Sequence, residues 1–198
     1  EAIAQALRCW RAVDDELPDY LEGGVRRLRH RLEHAEVMRP DLLDAVADLG
    51  LVVSTQPTFE QAWGHPAGMY ETRLGPDRVD WTNPFRALAD RGVGLAFGSD
   101  ATSGTMQPWD SVEAATHRRR EHHAITRLEA VSASTLGGRN AARQDRFVGV
   151  VRAGMRADLA VWEGDPYENP GTGPGTSVLT TVRGRRTHGE GPVPRWDE

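Results

Sequence analysis

The sequence predicts an α/β protein in which parallel strands alternate with helices, followed by a smaller antiparallel segment. Two observations predict the first part: segments with apolar residues at helical spacing alternate with short apolar runs, and these runs are apolar enough to be covered on both faces. A third observation predicts the second part. After Asn140 the apolar stretches become short and are separated by turn residues, as in small antiparallel strands.

The first element is predicted to be an amphipathic helix that ends before Pro18, since its apolar residues recur at helical spacing: Ile3, Ala6, Leu7, Trp10 and Val13. Cys9 lies within this stripe and is expected to be a small buried hydrophobe. The segment from Val25 to His34 is predicted to be extended. Alternation places four residues on its inward face: Leu28, His30, Leu32 and His34.

Two helix–strand pairs come next. The pattern predicts a helix from Pro40 to Gly50 before the strand Leu51–Thr55, and a helix from Pro84 to Gly92 before the strand Val93–Phe97. A further helix includes Pro108 to Ala115.

The last helix is predicted to begin at a capping box, formed by Thr126 and Glu129, and to run towards Gly137 and Gly138. Three short strands are predicted after it: Val148–Val151, Leu159–Trp162 and Val178–Val182. We place a domain boundary near residue 145. The first domain is then 1–145, and the second is 146–198, including a loop over Glu168–Gly175 and a tail after Gly189.

Composition argues against two classes of function. The formal net charge is -5, whereas a duplex-binding protein usually shows a basic face, so we expect no nucleic-acid partner. No run approaches the roughly 18 apolar residues of a membrane span, so we expect no membrane segment. The tight basic run, with three histidines nearby, is interpreted as a solvated helix face: Arg118, Arg119 and Arg120 with His117, His122 and His123.

Two polar residues stand where predicted strands end. His34 ends one strand and Asp100 another, and Gly94, Ala96 and Gly98 leave space on the face of the Asp100 carboxylate. Functional side chains of parallel α/β proteins gather at this carboxyl edge. Imidazole and carboxylate groups bind zinc or similar ions, although two ligands are too few for a catalytic site. A hydrogen-bonded core histidine and a helix-capping aspartate remain open alternatives.

Three blocks occur in order along the chain, at Arg29–Ala35, Ser54–Thr58 and Leu95–Ala101, and two more follow at Ala157–Trp162 and Val182–Arg185. In this order they resemble the amidohydrolase family 3 hydrolases, a group that includes N-substituted formamide deformylase-like enzymes. The resemblance covers nearly the whole chain, and several blocks in the right order are more specific than any single motif.

The resemblance implies a TIM-like barrel, of which this chain would supply about three βα units, and a β-sandwich built from both chain termini. Residues 1–20 would be the helix after strand five, and His34, Gln56 and Asp100 would end strands six, seven and eight. His34 would be a metal ligand or a substrate contact, and Asp100 a metal-linked general base. The expected cofactor is a divalent metal ion, with zinc as the first choice. The expected substrate is a small amide or formamide, touched by Gln56 unless Gln56 makes only a structural hydrogen bond.

The family's other metal ligands have no counterpart in this sequence. A His-x-His pair, a fifth-strand histidine and a bridging lysine would lie before Glu1, and the sequence has no lysine. We therefore expect a C-terminal fragment that is inactive alone, requires the N-terminal part of the protein, and can oligomerise through an open sheet edge. A cytoplasmic location is expected. The alternative is a non-catalytic module that binds a ligand or a partner chain.

The remaining interpretations concern loops and core residues. His30 is expected to be a core residue, one pleat below His34. Trp63, Tyr70 and Arg73 lie in the long loop after the strand that ends near Gln56, where a substrate pocket would be shaped and ordinary loop packing is the alternative.

Overall fold

The computed structural model describes residues 1–17, 22–167 and 175–189. Within these residues, the first sheet contains β1 (Arg31–Glu33), β2 (Val52–Thr55) and β3 (Gly94–Phe97), with β2 in the centre. All pairing in this sheet is parallel, with Leu32 opposite Val53 and Val53 opposite Leu95. The prediction of parallel strands is therefore confirmed.

The second sheet is antiparallel and also has three strands: β4 (Leu159–Trp162), β5 (Ser177–Val182) and β6 (Arg185–His188). β5 and β6 form a hairpin whose two-residue turn, Arg183 and Gly184, has positive φ angles of 52° and 73°. Such a turn matches the right-handed twist of the flanking strands. The domain boundary near residue 145 stays a prediction. Residues 168–174 of the predicted loop and the tail after Gly189 lie outside the described residues.

Eight α-helical segments connect or flank the strands in the described part of the chain: α1 (Ala2–Glu16), α2 (Leu43–Asp48), α3 (Thr58–Trp63), α4 (Met69–Leu74), α5 (Phe85–Asp90), α6 (Pro108–Thr116), α7 (Arg127–Ser132) and α8 (Gly138–Ala141). Short 3-10 helices cover Val25–Leu28, Pro40–Leu42, Val79–Trp81 and Glu121–His123. No described helix is long and apolar enough to cross a bilayer.

The main core lies between one face of the parallel sheet and helices α1, α2 and α5. Leu32, Val53 and Leu95 stand in register on this face and pack with Val46 and Leu88 from the helices. The opposite face carries the neighbouring residues of each strand: Arg31, Glu33, Val52, Ser54, Gly94 and Ala96. Apart from Val52, the residues on this opposite face are small or polar.

The first predicted strand is shorter than expected. Val25–Leu28 forms a 3-10 helix, and Arg29 has a left-handed φ of 47°, so extended pairing begins only at Arg31. The helical turn lets Arg26 donate hydrogen bonds to the carbonyl oxygens of Ala47 and Asp48, at 2.9 and 3.2 Å. These carbonyls belong to the end of α2, where helices leave acceptors unsatisfied.

The last long helix does not stop at its glycines. The capping box of Thr126 and Glu129 is present with both of its bonds, as predicted. Beyond α7 the chain continues as a π-helical segment, Ala133–Gly137, and then as α8. Gly137 packs directly on β3, where an added Cβ atom would lie 2.1 Å from the Leu95 carbonyl oxygen. This glycine is therefore needed for close helix–sheet approach and does not end the helix.

Two smaller predictions are wrong. Val148–Val151 forms no strand, because Gly149 has a φ of 117° that interrupts an extended backbone. Cys9 is exposed, because α1 turns Ala4 and Leu7 towards the core and Cys9 lies about 200° around the helix from Leu7.

Candidate functional site at the carboxyl ends of the parallel strands

His34 directly follows β1 and contacts Gln56, which directly follows β2. The backbone N–H of His34 donates to the Ser54 carbonyl at 2.7 Å, which continues the parallel pairing for one residue. The His34 Nδ1 atom lies 3.0 Å from Oε1 of Gln56. Gln56 is buried, with 6% of its surface exposed, whereas the His34 ring is exposed. The structure thus brings two of the predicted site residues together.

The predicted face of His34 needs a correction. Alternation placed it with Leu28, His30 and Leu32, but Leu32 lies in the helix-covered core and Leu28 belongs to a 3-10 helix. His34 has a left-handed φ of 62°, which interrupts the alternation. Its ring can therefore reach Gln56, which continues the opposite face of β2.

The hydrogen bond to Gln56 also sets the tautomer of the His34 ring. A carbonyl oxygen only accepts, so Nδ1 of His34 donates the proton. In the neutral ring Nε2 then carries the free lone pair, which is the state of a metal-binding imidazole. Metal-bound histidines commonly donate their other ring N–H to an oxygen acceptor of this kind. The arrangement at His34 fits a metal ligand held by Gln56.

Asp100 lies three residues beyond the end of β3, on the other side of β2. The small residues Ala96 and Gly98 precede Asp100 in the chain, and Asp100 is exposed. Its φ of 47° is left-handed, and its carbonyl accepts a hydrogen bond from Ser103 N–H at 2.7 Å. Neighbouring strands lie about 4.8 Å apart, so β1 and β3 are separated by about 10 Å.

A cavity of about 400 Å³ lies beside this edge, between α3 and the loop after Asp100. Its lining includes Thr58 and Phe59 from α3 and Ser103 and Gly104 from the loop. A larger cavity, of about 690 Å³, lies at the amino ends of the strands, next to Val52 and Gly94. We assign the candidate site to the carboxyl edge, because His34, Gln56 and Asp100 lie there.

His30 is partly buried against the ring of Trp10, with centroids 5.7 Å apart.

In the long loop after β2, the structure forms helices α3 and α4 instead of irregular chain. Tyr70 is buried, packs against Trp63 at 5.9 Å and donates a short hydrogen bond to Glu36. Burial raises the pKa of the Tyr70 hydroxyl, and the Glu36 hydrogen bond raises it further. Trp63 and Tyr70 are thus packed against each other, whereas Arg73 is exposed.

The structure contradicts the prediction of a solvated arginine face. Arg118 lies beyond the end of α6, its side chain is 0% exposed, and Nη2 is 3.3 Å from Oε2 of Glu60. Arg120 pairs with the same carboxylate at 2.8 Å, and Arg118 also lies over the Phe85 ring at 4.7 Å. Of the three arginines, only Arg119 is exposed. A run of arginines carries no periodicity that would reveal a buried partner 58 residues earlier in the chain.

A second polar group was also missed. Asp80, His122 and His123 present ligand atoms that all lie within 4.8 Å of one another. Across residues 1–17, 22–167 and 175–189 this is the only such group of three or more His, Cys, Asp or Glu side chains. His34 and Asp100 are not part of a group of this size. The two histidines are adjacent in the sequence, but nothing there pointed to Asp80.

A family profile and individual relatives among known proteins match this chain. The profile of a family described as "Amidohydrolase family" matches residues 1–188. Amidohydrolase YtcJ of Bacillus subtilis is 28% identical over 150 residues, which cover 70% of this chain and 28% of that protein. The N-substituted formamide deformylase of Arthrobacter pascens is 28% identical over 145 residues, covering 70% of this chain and 26% of the enzyme. The chain thus spans little more than a quarter of the length of these relatives.

A solved structure of a metal-dependent hydrolase from Pyrococcus furiosus is similar in fold. It superimposes with a TM-score of 0.64 and 24% identity, covering 79% of this chain and 30% of that protein. The likeness extends over most of this chain but over less than a third of the hydrolase.

Proposed function

The chain belongs to the amidohydrolase family, and we propose that the protein containing it hydrolyses a carbon–nitrogen bond of a small amide or formamide with the help of a divalent metal ion. One observation carries the proposal beyond family membership: the His34–Gln56 hydrogen bond uses Nδ1 of His34 and leaves the lone pair of Nε2 free to bind a metal ion, at the same sheet edge as Asp100. Similarity to a formamide deformylase supports the choice of substrate class.

The two residues suit zinc, which accepts imidazole nitrogen and carboxylate oxygen as ligands. A catalytic zinc site takes three protein ligands, so we propose that further ligands come from another part of the natural protein, as the short coverage of the relatives suggests. We also propose that the three parallel strands form part of a TIM-like barrel, that residues 1–145 belong to it, and that the antiparallel strands belong to a β-sandwich.

The bound ion would supply Lewis acidity that polarises the substrate carbonyl. Asp100 is exposed at the strand end and can accept the proton of an attacking water, then return it to the leaving nitrogen. Gln56 holds the His34 ring through Nδ1 and fixes its tautomer. Because Gln56 is almost fully buried, we propose that its main role is to position His34, with any substrate contact limited to its small exposed part.

The test is an Asp100→Asn variant of the full protein, assayed with formamides and small amides. General acid–base catalysis contributes about 10²–10⁴-fold, so we expect turnover to fall by about that factor. Asp15→Asn is the matched control, since Asp15 is exposed on α1, which packs on the helix-covered side of the sheet. Normal turnover in Asp100→Asn would refute the assignment.

The metal content of both variants should be measured alongside turnover, to separate loss of the base from loss of the ion. If the parent protein binds metal and small amides but hydrolyses none of the panel, the alternative of a non-catalytic binding module would gain support instead.

A further inference from the structure

Two short 3-10 helices that are distant in sequence meet on one side of the described structure. Val79–Trp81 contributes Asp80, and Glu121–His123 contributes His122 and His123. Oδ1 of Asp80 lies 2.8 Å from Nε2 of His122 and 3.6 Å from Nε2 of His123. Both imidazole rings therefore turn the same nitrogen towards one carboxylate oxygen.

We propose that Asp80, His122 and His123 bind a divalent transition-metal ion, at a site separate from the strand-end site of His34 and Asp100. Neutral imidazole and carboxylate are the ligand types that zinc, nickel and copper accept. With metal–ligand distances of about 2.0–2.2 Å, tetrahedral ligand atoms lie about 3.4 Å apart. The observed spacings of 2.8 and 3.6 Å bracket that value.

The backbone around the group is held in place before any ion binds. His123 is buried, its N–H donates to the Arg120 carbonyl at 2.9 Å, and its ring packs 4.1 Å from that of His122. On the other side, the Trp81 carbonyl accepts from Met38 N–H at 2.9 Å. The side chains of Asp80 and His122 are 54% and 60% exposed. An ion can therefore enter from solvent, and both side chains have room to move into a metal-binding geometry.

Metal binding requires His123 to give up one hydrogen bond. Nε2 of His123 lies 2.8 Å from the Asp80 carbonyl oxygen, to which it donates when protonated. An ion on Nε2 replaces that proton and ends this hydrogen bond. To bind the ion, the His123 ring must be in its neutral form.

The nearest competing charge is Arg120, whose Nε lies 3.9 Å from Oδ1 of Asp80. Its guanidinium is paired with Glu60 through Nη1 at 2.8 Å, which offsets its repulsion of a cation. A bound ion would tie the segment before α5 to the segment after α6, and both segments pack around Glu60.

The experiment compares zinc binding by the full protein and its variants His122→Ala and Asp80→Asn. Both replaced side chains are exposed, so the fold should persist, as circular dichroism would verify. We expect each variant to hold one equivalent of zinc less per chain than the parent after dialysis against zinc. Each should also lose a zinc-dependent rise in Tm of about 5–10 °C at a zinc concentration about 100 times the dissociation constant.

His65→Ala is the matched control, because His65 is an exposed histidine outside the group. It should keep the metal content and the Tm rise of the parent. Amide hydrolysis should also persist in His122→Ala, which separates this site from the one at Asp100. Unchanged zinc content in both variants, or an equal loss in His65→Ala, would overturn the proposal.

Discussion

Glu60 is the carboxylate on which two buried guanidinium groups converge, and its replacement by glutamine gives a sharp test of the fold. Its side chain is 5% exposed and pairs with Arg118, which is 0% exposed, and Arg120, which is 10% exposed. Asn83 and Thr82 also donate to Oε2, at 3.1 and 3.5 Å. Glu60→Gln keeps the shape but removes the charge, so both arginines lose the buried carboxylate that they share.

Removing one partner of a buried ion pair costs about 3–5 kcal/mol, because an uncompensated charge stays in the interior. For a chain of 198 residues each kcal/mol lowers Tm by about 2–4 °C, so we expect a fall of about 6–20 °C. Differential scanning calorimetry and urea unfolding measure the change. The matched control is Asp44→Asn, which breaks the exposed pair with Arg91 and should cost about 1 kcal/mol or less.

A Glu60→Gln protein as stable as Asp44→Asn would refute the reasoning. A second variant separates charge burial from loss of packing. Replacing Glu60, Arg118 and Arg120 together with methionine removes the charges of this cluster, and replacements of this kind are often neutral or stabilising. The triple variant should therefore be more stable than Glu60→Gln, although it removes more polar contacts.

The remaining predictions concern the candidate site and one surface carboxylate. Gln56→Leu removes the acceptor for His34 Nδ1, so metal affinity at the strand-end site should fall about 10–100-fold, measured by chelator competition against an exposed control, Gln5→Leu. Glu129 has its pKa lowered from 4.5 to about 2, first by the Arg86 hydrogen bond. Since the folded pKa is the lower one, this group stabilises the fold above the unfolded pKa, and that stability is lost as the pH falls towards about 2. Glu129→Gln should remove that part of the acid dependence of the urea midpoint, and an unchanged pH profile would contradict it.

Local sequence signals predicted those features whose causes are local. The capping box at Thr126 and Glu129 forms because both partners lie within one helical turn. The predicted strand Leu51–Thr55 is observed over Val52–Thr55. A short apolar run bounded by turn residues is typical of a buried strand. The turn before Arg185 follows in the same way from Gly184, which accepts a positive φ.

Features that depend on distant partners or on unusual backbone angles could not be predicted in this way. The burial of Arg118 depends on Glu60, which lies in a helix after a different strand. The contact of His34 with Gln56 depends on a left-handed φ at a histidine, which L-residues adopt only rarely. Strand alternation therefore located the end of the strand but gave the wrong face.

The two faces of the parallel sheet support the proposal of a larger barrel. Parallel sheets are normally covered on both faces. Here Leu32, Val53 and Leu95 are covered by helices. On the opposite face Val52 and Ala96 are buried, whereas Arg31, Glu33 and Gly94 are exposed. Arg31 and Glu33 pair with each other at 2.9 Å on that face. A face of charged and small residues suits the interior of a barrel closed by further strands, where His34, Gln56 and Asp100 would stand at its carboxyl-terminal mouth.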